Sequence, residues 1–279
     1  MDRYAVIGNP VAHSKSPLIH ATFARQTGQS MTYEALLAPL DGFAATVARF
    51  RDAGGCGLNV TVPFKLEAHA LTQRHTPRAA AAGAANTLMF DARGILADNT
   101  DGVGLVRDLT HNLATPLAER RILLLGAGGA ARGALLPLLE QQPSRLTIAN
   151  RTLAKADTLA GLFREPASHH GVALAASDFA ALAGCEFDII INATAASLSG
   201  QIPDLPSALY ANAALAYDMM YAPADTPFMA TARRHGAGRV ADGLGMLVEQ
   251  AAESFFVWRG VRPDTRPVLA SLRDWSAGG

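Results

Sequence analysis

Two cysteines, Cys56 and Cys185, stand far apart in a chain of 279 residues. That count excludes a disulfide framework and a cysteine-based zinc site. An excess of charge is missing too: 24 Lys and Arg balance 24 Asp and Glu. No electrostatic footprint for nucleic acid or for an anionic membrane results. No apolar run is long enough to span a bilayer. His13 and His20 have no partners at metal-ligand spacing, so they read as structural or solvated and no metal is expected. The first residues, Met1 to Gly8, run straight into a strand and lack the pattern of a secretory leader. These absences together point to a soluble protein of a reducing compartment, the cytoplasm.

What is present is apolar. Hydrophobic residues make up 49% and charged residues 17%, enough for one large α/β domain or two ordinary ones. Strand-like runs alternate with alanine-rich, helix-like stretches. Strands are expected at Arg3 to Gly8, Met31 to Leu37 and Gly57 to Val62. Between them, a helix opens at Ser16-Pro17 and another covers Asp41 to Ala53. Asn86 to Phe90 and Ile95 to Asp98 flank Asp91-Ala-Arg-Gly94 as a β-hairpin. A helix at Gly102 to Asn112 follows, then strands at Arg121 to Leu125, Leu146 to Ala149, Asp188 to Ile191 and Leu215 to Tyr217. Leu244 to Trp258 reads as a long amphipathic helix. The alternation predicts parallel sheets covered by helices.

Arg121 to Arg132 reads strand, glycine turn, helix start: Arg-Ile-Leu-Leu-Leu-Gly126-Ala-Gly128-Gly129-Ala-Ala131-Arg. Gly126 permits a tight turn, Gly128 lets backbone approach a pyrophosphate, and Ala131 takes the small-residue position between helix and strand. The helix N-terminus then faces the phosphates, and the context favours dinucleotide binding over an ordinary βα turn. An NAD-binding unit usually carries an acid about 20 residues on. Here the second strand ends in Asn150-Arg151-Thr152, with Lys155 a turn later and no carboxylate. Arg151 suits an adenine face and a 2′-phosphate, and Thr152 and Lys155 add donors and charge, so NADP is expected. A solvated helix start is the plain alternative. The central position of this unit leaves about 100 preceding residues for a substrate domain, with the active site in the cleft between domains.

In that first domain, Asn59-Val-Thr-Val-Pro-Phe-Lys65 ends an apolar run on a lone lysine. Lys65 either merely opens a helix at the surface or sits in a partly desolvated cleft, where burial lowers an ammonium pKa toward the range useful for proton transfer. Ser14 and Ser16, at the mouth of a strand-to-helix turn, suit a small carboxylate, although Ser16 also reads as a helix cap. If Phe90 pairs with Ile95, Asn86 lies near Asn99 and Asp101 falls just past the hairpin. Asn86 and Asp101 then meet at one rim, fit to hold neighbouring hydroxyls, with Asp101 within reach of Lys65. Asp101 also reads as the N-cap of the following helix.

With these residues assembled, the chain resembles the shikimate dehydrogenase family over nearly its whole length. The resemblance rests on residues 8–17, 59–65, 83–88 (Gly-Ala-Ala-Asn-Thr-Leu), 99–102 (Asn-Thr-Asp-Gly), 126–132, 150–152, 217–221 (Tyr-Asp-Met-Met-Tyr) and 242–251. It implies reversible NADPH-dependent reduction of 3-dehydroshikimate to shikimate, in aromatic amino-acid biosynthesis. It implies Lys65 and Asp101 as the catalytic pair, and Ser14 and Ser16 on the substrate carboxylate with Tyr221 near that end. It places Thr61, Asn86, Asp101 and Gln250 around the ring hydroxyls. Gly126, Ala127, Gly128, Gly129, Ala130, Asn150, Arg151, Thr152 and Lys155 match cofactor contacts, and Met219 and Gly243 match positions bordering the nicotinamide. It implies a substrate domain at 1–101 plus 243–279, with a mostly parallel sheet, and a Rossmann domain at 102–242. The C-terminal helices return to the first domain. A monomer or homodimer is expected. A relative using quinate with NAD and a non-catalytic shikimate or NADPH sensor are the alternatives. Two departures stand out: Ala195 where the family often has a hydroxyl near the cofactor, and Pro77 where relatives often carry an acid.

Overall fold

The computed structural model describes residues 1–194, 201–211 and 213–277. Ala195 lies outside the described residues. The chain divides into two compact units, Met1–Gly104 with Leu247–Ser271, and Leu105–Met246 with the last residues from Leu272. All three crossings fall inside helical segments, within Asp101–Arg107, Leu244–Arg259 and Arg266–Ala277.

The first unit holds a sheet of β1 (Asp2–Gly8), β2 (Met31–Leu37), β3 (Gly55–Val60), β4 (Thr87–Asp91) and β5 (Gly94–Asp98), in the order β2-β1-β3-β4-β5. β1 pairs in parallel with β2 and β3, and the β3–β4 and β4–β5 pairings are antiparallel. The sheet is therefore mixed rather than mostly parallel, because the expected hairpin joins it at one edge. Phe90 faces Ile95 in that hairpin, and Thr87 faces Asp98. Alternate residues of β1 point to opposite layers. Ala5 and Ile7 join Phe43, Val47, Leu58, Val60 and Phe64 in one apolar layer. Tyr4 points the other way and stacks on Trp258 at 4.6 Å. That second layer contains helix Ser16–Thr27 and the C-terminal part of helix Leu244–Arg259, through Phe23, His20 and Phe255.

The second unit holds β6 (Arg121–Leu125), β7 (Arg145–Ala149), β8 (Ala173–Ser177), β9 (Ile189–Asn192), β10 (Leu215–Asp218) and β11 (Val240–Ala241). Their order is β11-β10-β9-β6-β7-β8, all parallel. Numbered from β6, this is the doubly wound order 3-2-1-4-5-6 of a dinucleotide-binding sheet. Ile122 to Leu125 and Ile189 to Asn192 are buried throughout, as strands covered on both faces must be.

Several local expectations change. Lys15, not Ser16, is the N-cap of the first helix, with Pro17 in its first turn. Asp101 is the first helical residue rather than a cap, because the helix already starts on the Thr100 carbonyl, which accepts from Gly104 N at 2.9 Å. The segment expected as one helix to Asn112 turns into a π-helix at Asp108–Asn112. β8 reads Ala-Leu-Ala-Ala-Ser and β11 has only two residues, so neither carries a strand signal of its own. No helix among the described residues is long and apolar enough to cross a membrane.

His20 is fully buried and lies flat on Tyr33, ring centroids 4.2 Å apart. Burial drives its pKa from 6.5 down to about 3. The folded state thus keeps His20 neutral where the unfolded chain protonates it. The resulting stabilisation is complete above pH 6.5 and is lost as pH falls toward 3. Replacing His20 with Phe is expected to remove about 1.4 kcal/mol per pH unit from the acid slope of unfolding free energy in that window. Denaturant titrations of both proteins between pH 4 and pH 7, at roughly half-unit steps, check this.

Candidate active site

The polar residues of the first unit collect beyond the carboxyl ends of β1 and β3, where open α/β sheets bind ligands. β3 ends at Val60, and Thr61 continues the pairing once more by donating its N–H to Ile7 O at 3.0 Å. The chain then turns, with Phe64 N donating to Thr61 O at 3.1 Å. Phe64 is buried and stacks on Phe43, centroids 4.9 Å apart, which anchors the turn in the apolar layer. Lys65 follows as the first residue of helix Lys65–Ala70. Lys65 thus opens a helix, and its Nζ donates to Asp101 Oδ2 at 2.6 Å. Its side chain is 35% exposed and that of Asp101 13%, so the pair is shielded on the carboxylate side and open on the ammonium side.

Asp101 arrives from the hairpin, as the register required. Asn86 N donates to Asp98 O at 3.0 Å, one step beyond the last ladder pair. Asn86 Nδ2 donates to Asp101 Oδ1 at 2.8 Å, and Gln250 Oε1 lies 3.2 Å from the same nitrogen. Arg78 fastens the end of β5 by gripping Asp98 with Nε and Nη2 at 2.7 and 2.6 Å. Lys65, Asp101, Asn86 and Gln250 thus form one connected chain of contacts, from four separate stretches of sequence. Each Asp101 oxygen keeps a lone pair beyond its protein partner, so the carboxylate can still accept from a ligand hydroxyl.

Ser14 Oγ accepts from Ser16 N at 3.3 Å, which sets the two serines together at the start of the first helix. Ser16 is buried and Ser14 half-buried. Behind them the Tyr33 hydroxyl donates to Asn59 Oδ1 at 2.7 Å, and Asn59 Nδ2 reaches Ser254 Oγ at 2.9 Å and Thr87 Oγ1 at 3.1 Å. Asn59, Thr87, Thr100, Ser254 and Tyr33 had no assigned role in the sequence. Asn59 and Thr100 stand inside the recognised motifs, and Ser254 follows Gln250 by one helical turn, which is the signal that could have found them.

The second unit carries the glycine turn. Gly126 has φ +105°, a backbone that side chains rarely tolerate, and Gly128 has open space where a Cβ would stand. Helix Gly129–Leu139 starts there with Gly128 as cap, and Ala131 is buried against the sheet. Ala127 is half-buried, while Gly129 and Ala130 are exposed at the helix start. At the end of β7, Asn150 Nδ2 donates to Thr152 O at 2.9 Å, and Arg151, Thr152 and Lys155 are exposed. Asn150 and Arg151 line a cleft of about 1000 Å³ with Asp178, Phe179, Thr194 and Ile202. Met219 N donates to Asn192 O and Gly243 N to Met220 O, both at 3.0 Å, which ties the ends of β9, β10 and β11 together. Tyr221 follows β10, 41% exposed, and burial together with the nearby Asp242 charge raises its phenol pKa. An open glycine cradle, a helix start and two exposed cations fit a dinucleotide bearing a 2′-phosphate. Among the described residues no group of three or more His, Cys, Asp and Glu is arranged to hold a metal. Pro77 is the first residue of helix Pro77–Ala82.

Residues 6–88 match the family model of the shikimate dehydrogenase substrate binding domain. Residues 108–199 match that of shikimate / quinate 5-dehydrogenase, and 243–273 that of the shikimate 5'-dehydrogenase C-terminal domain. A shikimate dehydrogenase (NADP(+)) of Aromatoleum aromaticum is 66% identical over 100% of this chain and 99% of its own. Among solved structures, an Ael1 enzyme from Pseudomonas putida superposes with a TM-score of 0.92 at 53% identity, covering 98% of each chain. Shikimate 5-dehydrogenase of Thermus thermophilus, in complex with NADP(H) and shikimate, gives 0.85 at 32% identity over 98% of this chain and 99% of that one. With this likeness running through both units and all three family models, the chain belongs to the shikimate dehydrogenase family.

Proposed function

We propose that this protein catalyses the reversible NADPH-dependent reduction of 3-dehydroshikimate to shikimate, a step toward aromatic amino acids. The observation that carries the reading is the Lys65–Asp101 pair, 2.6 Å apart and held by Asn86 at the carboxyl edge of a substrate-domain sheet. NADPH, when bound, supplies the hydride that reduces the ring carbonyl.

As the carbonyl oxygen gains charge, Lys65 Nζ stabilises it and gives it a proton; in the reverse direction Lys65 receives that proton. Asp101 keeps the ammonium aimed and accepts from a neighbouring ring hydroxyl through its remaining lone pairs. Asn86 is nearly buried and spends its amide protons within the protein, so its main contribution is to hold Asp101 in place. Thr61 and Gln250 complete the ring-hydroxyl contacts. Ser14 and Ser16 receive the substrate carboxylate by hydroxyl hydrogen bonds, with Tyr221 at that end. Residues Gly126 to Ala130 would cradle the pyrophosphate, Arg151 with Thr152 and Lys155 would take the adenosine 2′-phosphate, Asn150 would be a further cofactor contact, and Met219 and Gly243 would border the nicotinamide. The work divides between a substrate domain near residues 1–101 with 243–279 and a cofactor domain near 102–242, whereas the compact units break at Gly104, Met246 and Ser271. The two free cysteines, Cys56 and Cys185, fit a reducing cytoplasm. The working form is a monomer or a homodimer, which light scattering on the purified protein resolves.

Replacing Lys65 with Ala should lower kcat about 100- to 10,000-fold while NADPH affinity stays within about twofold. Steady-state turnover and a separate NADPH binding titration measure the two effects, and full turnover in the variant refutes the assignment. Removing both cations, Arg151→Ala with Lys155→Ala, should raise the KM for NADPH by about tenfold or more. The KM for NADH should stay near its starting value. An equal loss for both nucleotides, or a parent enzyme that prefers NADH or quinate, overturns the NADP and shikimate readings respectively.

A further inference from the structure

The Asn86 amide can present either its oxygen or its nitrogen to Asp101, and only the nitrogen makes a bond to a carboxylate. Something must therefore fix which way the amide faces. Its oxygen accepts from Thr100 N at 2.8 Å and lies 3.0 Å from Thr87 Oγ1. Its nitrogen meets Thr100 Oγ1 at 2.9 Å as well as Asp101. Thr100 N–H can only donate, which puts the oxygen on its side; each threonine hydroxyl has one proton, and where those two protons go decides whether the hydroxyls support that orientation or oppose it.

Ser254 sits between the two threonines, its Oγ 2.8 Å from Thr87 Oγ1 and 3.1 Å from Thr100 Oγ1, in a fully buried position. Its own proton goes to Gln250 O at 3.0 Å, one turn back on the helix. Asn59 Nδ2 fills one of its lone pairs at 2.9 Å, and Tyr33 fixes the Asn59 amide by donating to its oxygen. One lone pair on Ser254 is left. If it takes the Thr100 proton, Thr100 turns a lone pair to Asn86 Nδ2 and the Thr87 proton falls to Asn86 Oδ1. The Thr100 N–H and both threonine hydroxyls then agree on one amide orientation, with the Asn86 nitrogen facing Asp101. The helix that carries Ser254 is held at this depth by Gly104: a Cβ there would come within 2.7 Å of Gln250 N and Cβ.

We infer that Ser254 is a positioning residue for the reaction. It accepts a hydrogen bond from the Thr100 hydroxyl, which joins the Thr100 N–H in holding the Asn86 amide with its nitrogen on Asp101, and so keeps the carboxylate aligned with Lys65. Ser254 touches neither Lys65 nor Asp101 and acts through Asn86. The inference rests on the Lys65–Asp101 assignment made above.

The test compares Ser254→Ala, Ser254→Thr and the same Ser254→Ala change in an Asn86→Ala background, with 3-dehydroshikimate and NADPH. Ser254→Ala is expected to lower kcat about fivefold or more, with the KM for NADPH unchanged. Ser254→Thr, which keeps the hydroxyl, is expected to stay within about twofold of the parent. In the Asn86→Ala background the alanine should add less than about twofold, because the residue it works through is gone. A full effect in that background, or none in the parent, overturns the inference. Ser254→Cys, closer in volume, takes the place of alanine if the alanine protein does not fold, with the same expected loss. Parent turnover, measured in the same assay, reports on the proposed reaction itself, so a protein without that activity is distinguished from one in which Ser254 plays no part.

Discussion

A single carboxylate, Asp101, is the point on which the first unit converges. One of its oxygens is held by Lys65 and the other by Asn86. Three constraints deliver it there. The β4–β5 register brings residue 86 beside the end of β5, and the clamp of Arg78 on Asp98 fixes that strand end. The buried Phe64 sets the turn from which Lys65 projects. None of these acts on substrate. They allow two flexible side chains to meet a third at charge-assisted hydrogen-bond distance, so that in the proposed reaction little reorganisation remains when the carbonyl oxygen becomes negative.

The fold was legible where patterns are local and strong. β6 with its glycine turn, the hairpin register and the Lys65 turn were all readable because each rests on adjacent residues of distinct chemistry. The readings that failed rested on residues with more than one use. Ser16 and Asp101 are both good caps by type, yet Lys15 and Thr100 take those positions. β8 is mostly alanine, and its pairing with β7 comes from the sheet rather than from its own side chains. The partly antiparallel character of the first sheet was implicit in the hairpin, but which strand the hairpin would join was not.

The site shows the same division. The groups with chemistry of their own, Lys65, Asp101, Asn86 and the serine pair, could be named from sequence. The groups that hold them carried only the weaker signal of lying inside the same motifs or one helical turn from Gln250. Asn59, Thr87, Thr100 and Ser254 are ordinary polar residues whose role appears only when chain segments 154 to 195 residues apart come within 3.1 Å of one another. Buried polar networks of this kind are specified by complete partnering, which composition and spacing do not reveal.

The most direct measurement of the central claim is the turnover of Asp101→Asn, with shikimate and NADP affinities measured separately. The side chain keeps its size but loses the charge that orients Lys65. A fall in kcat of about 100-fold or more, with NADP affinity unchanged, is the predicted result. Turnover within about twofold of the parent would contradict the assignment of Lys65 and Asp101 as the pair that moves the proton.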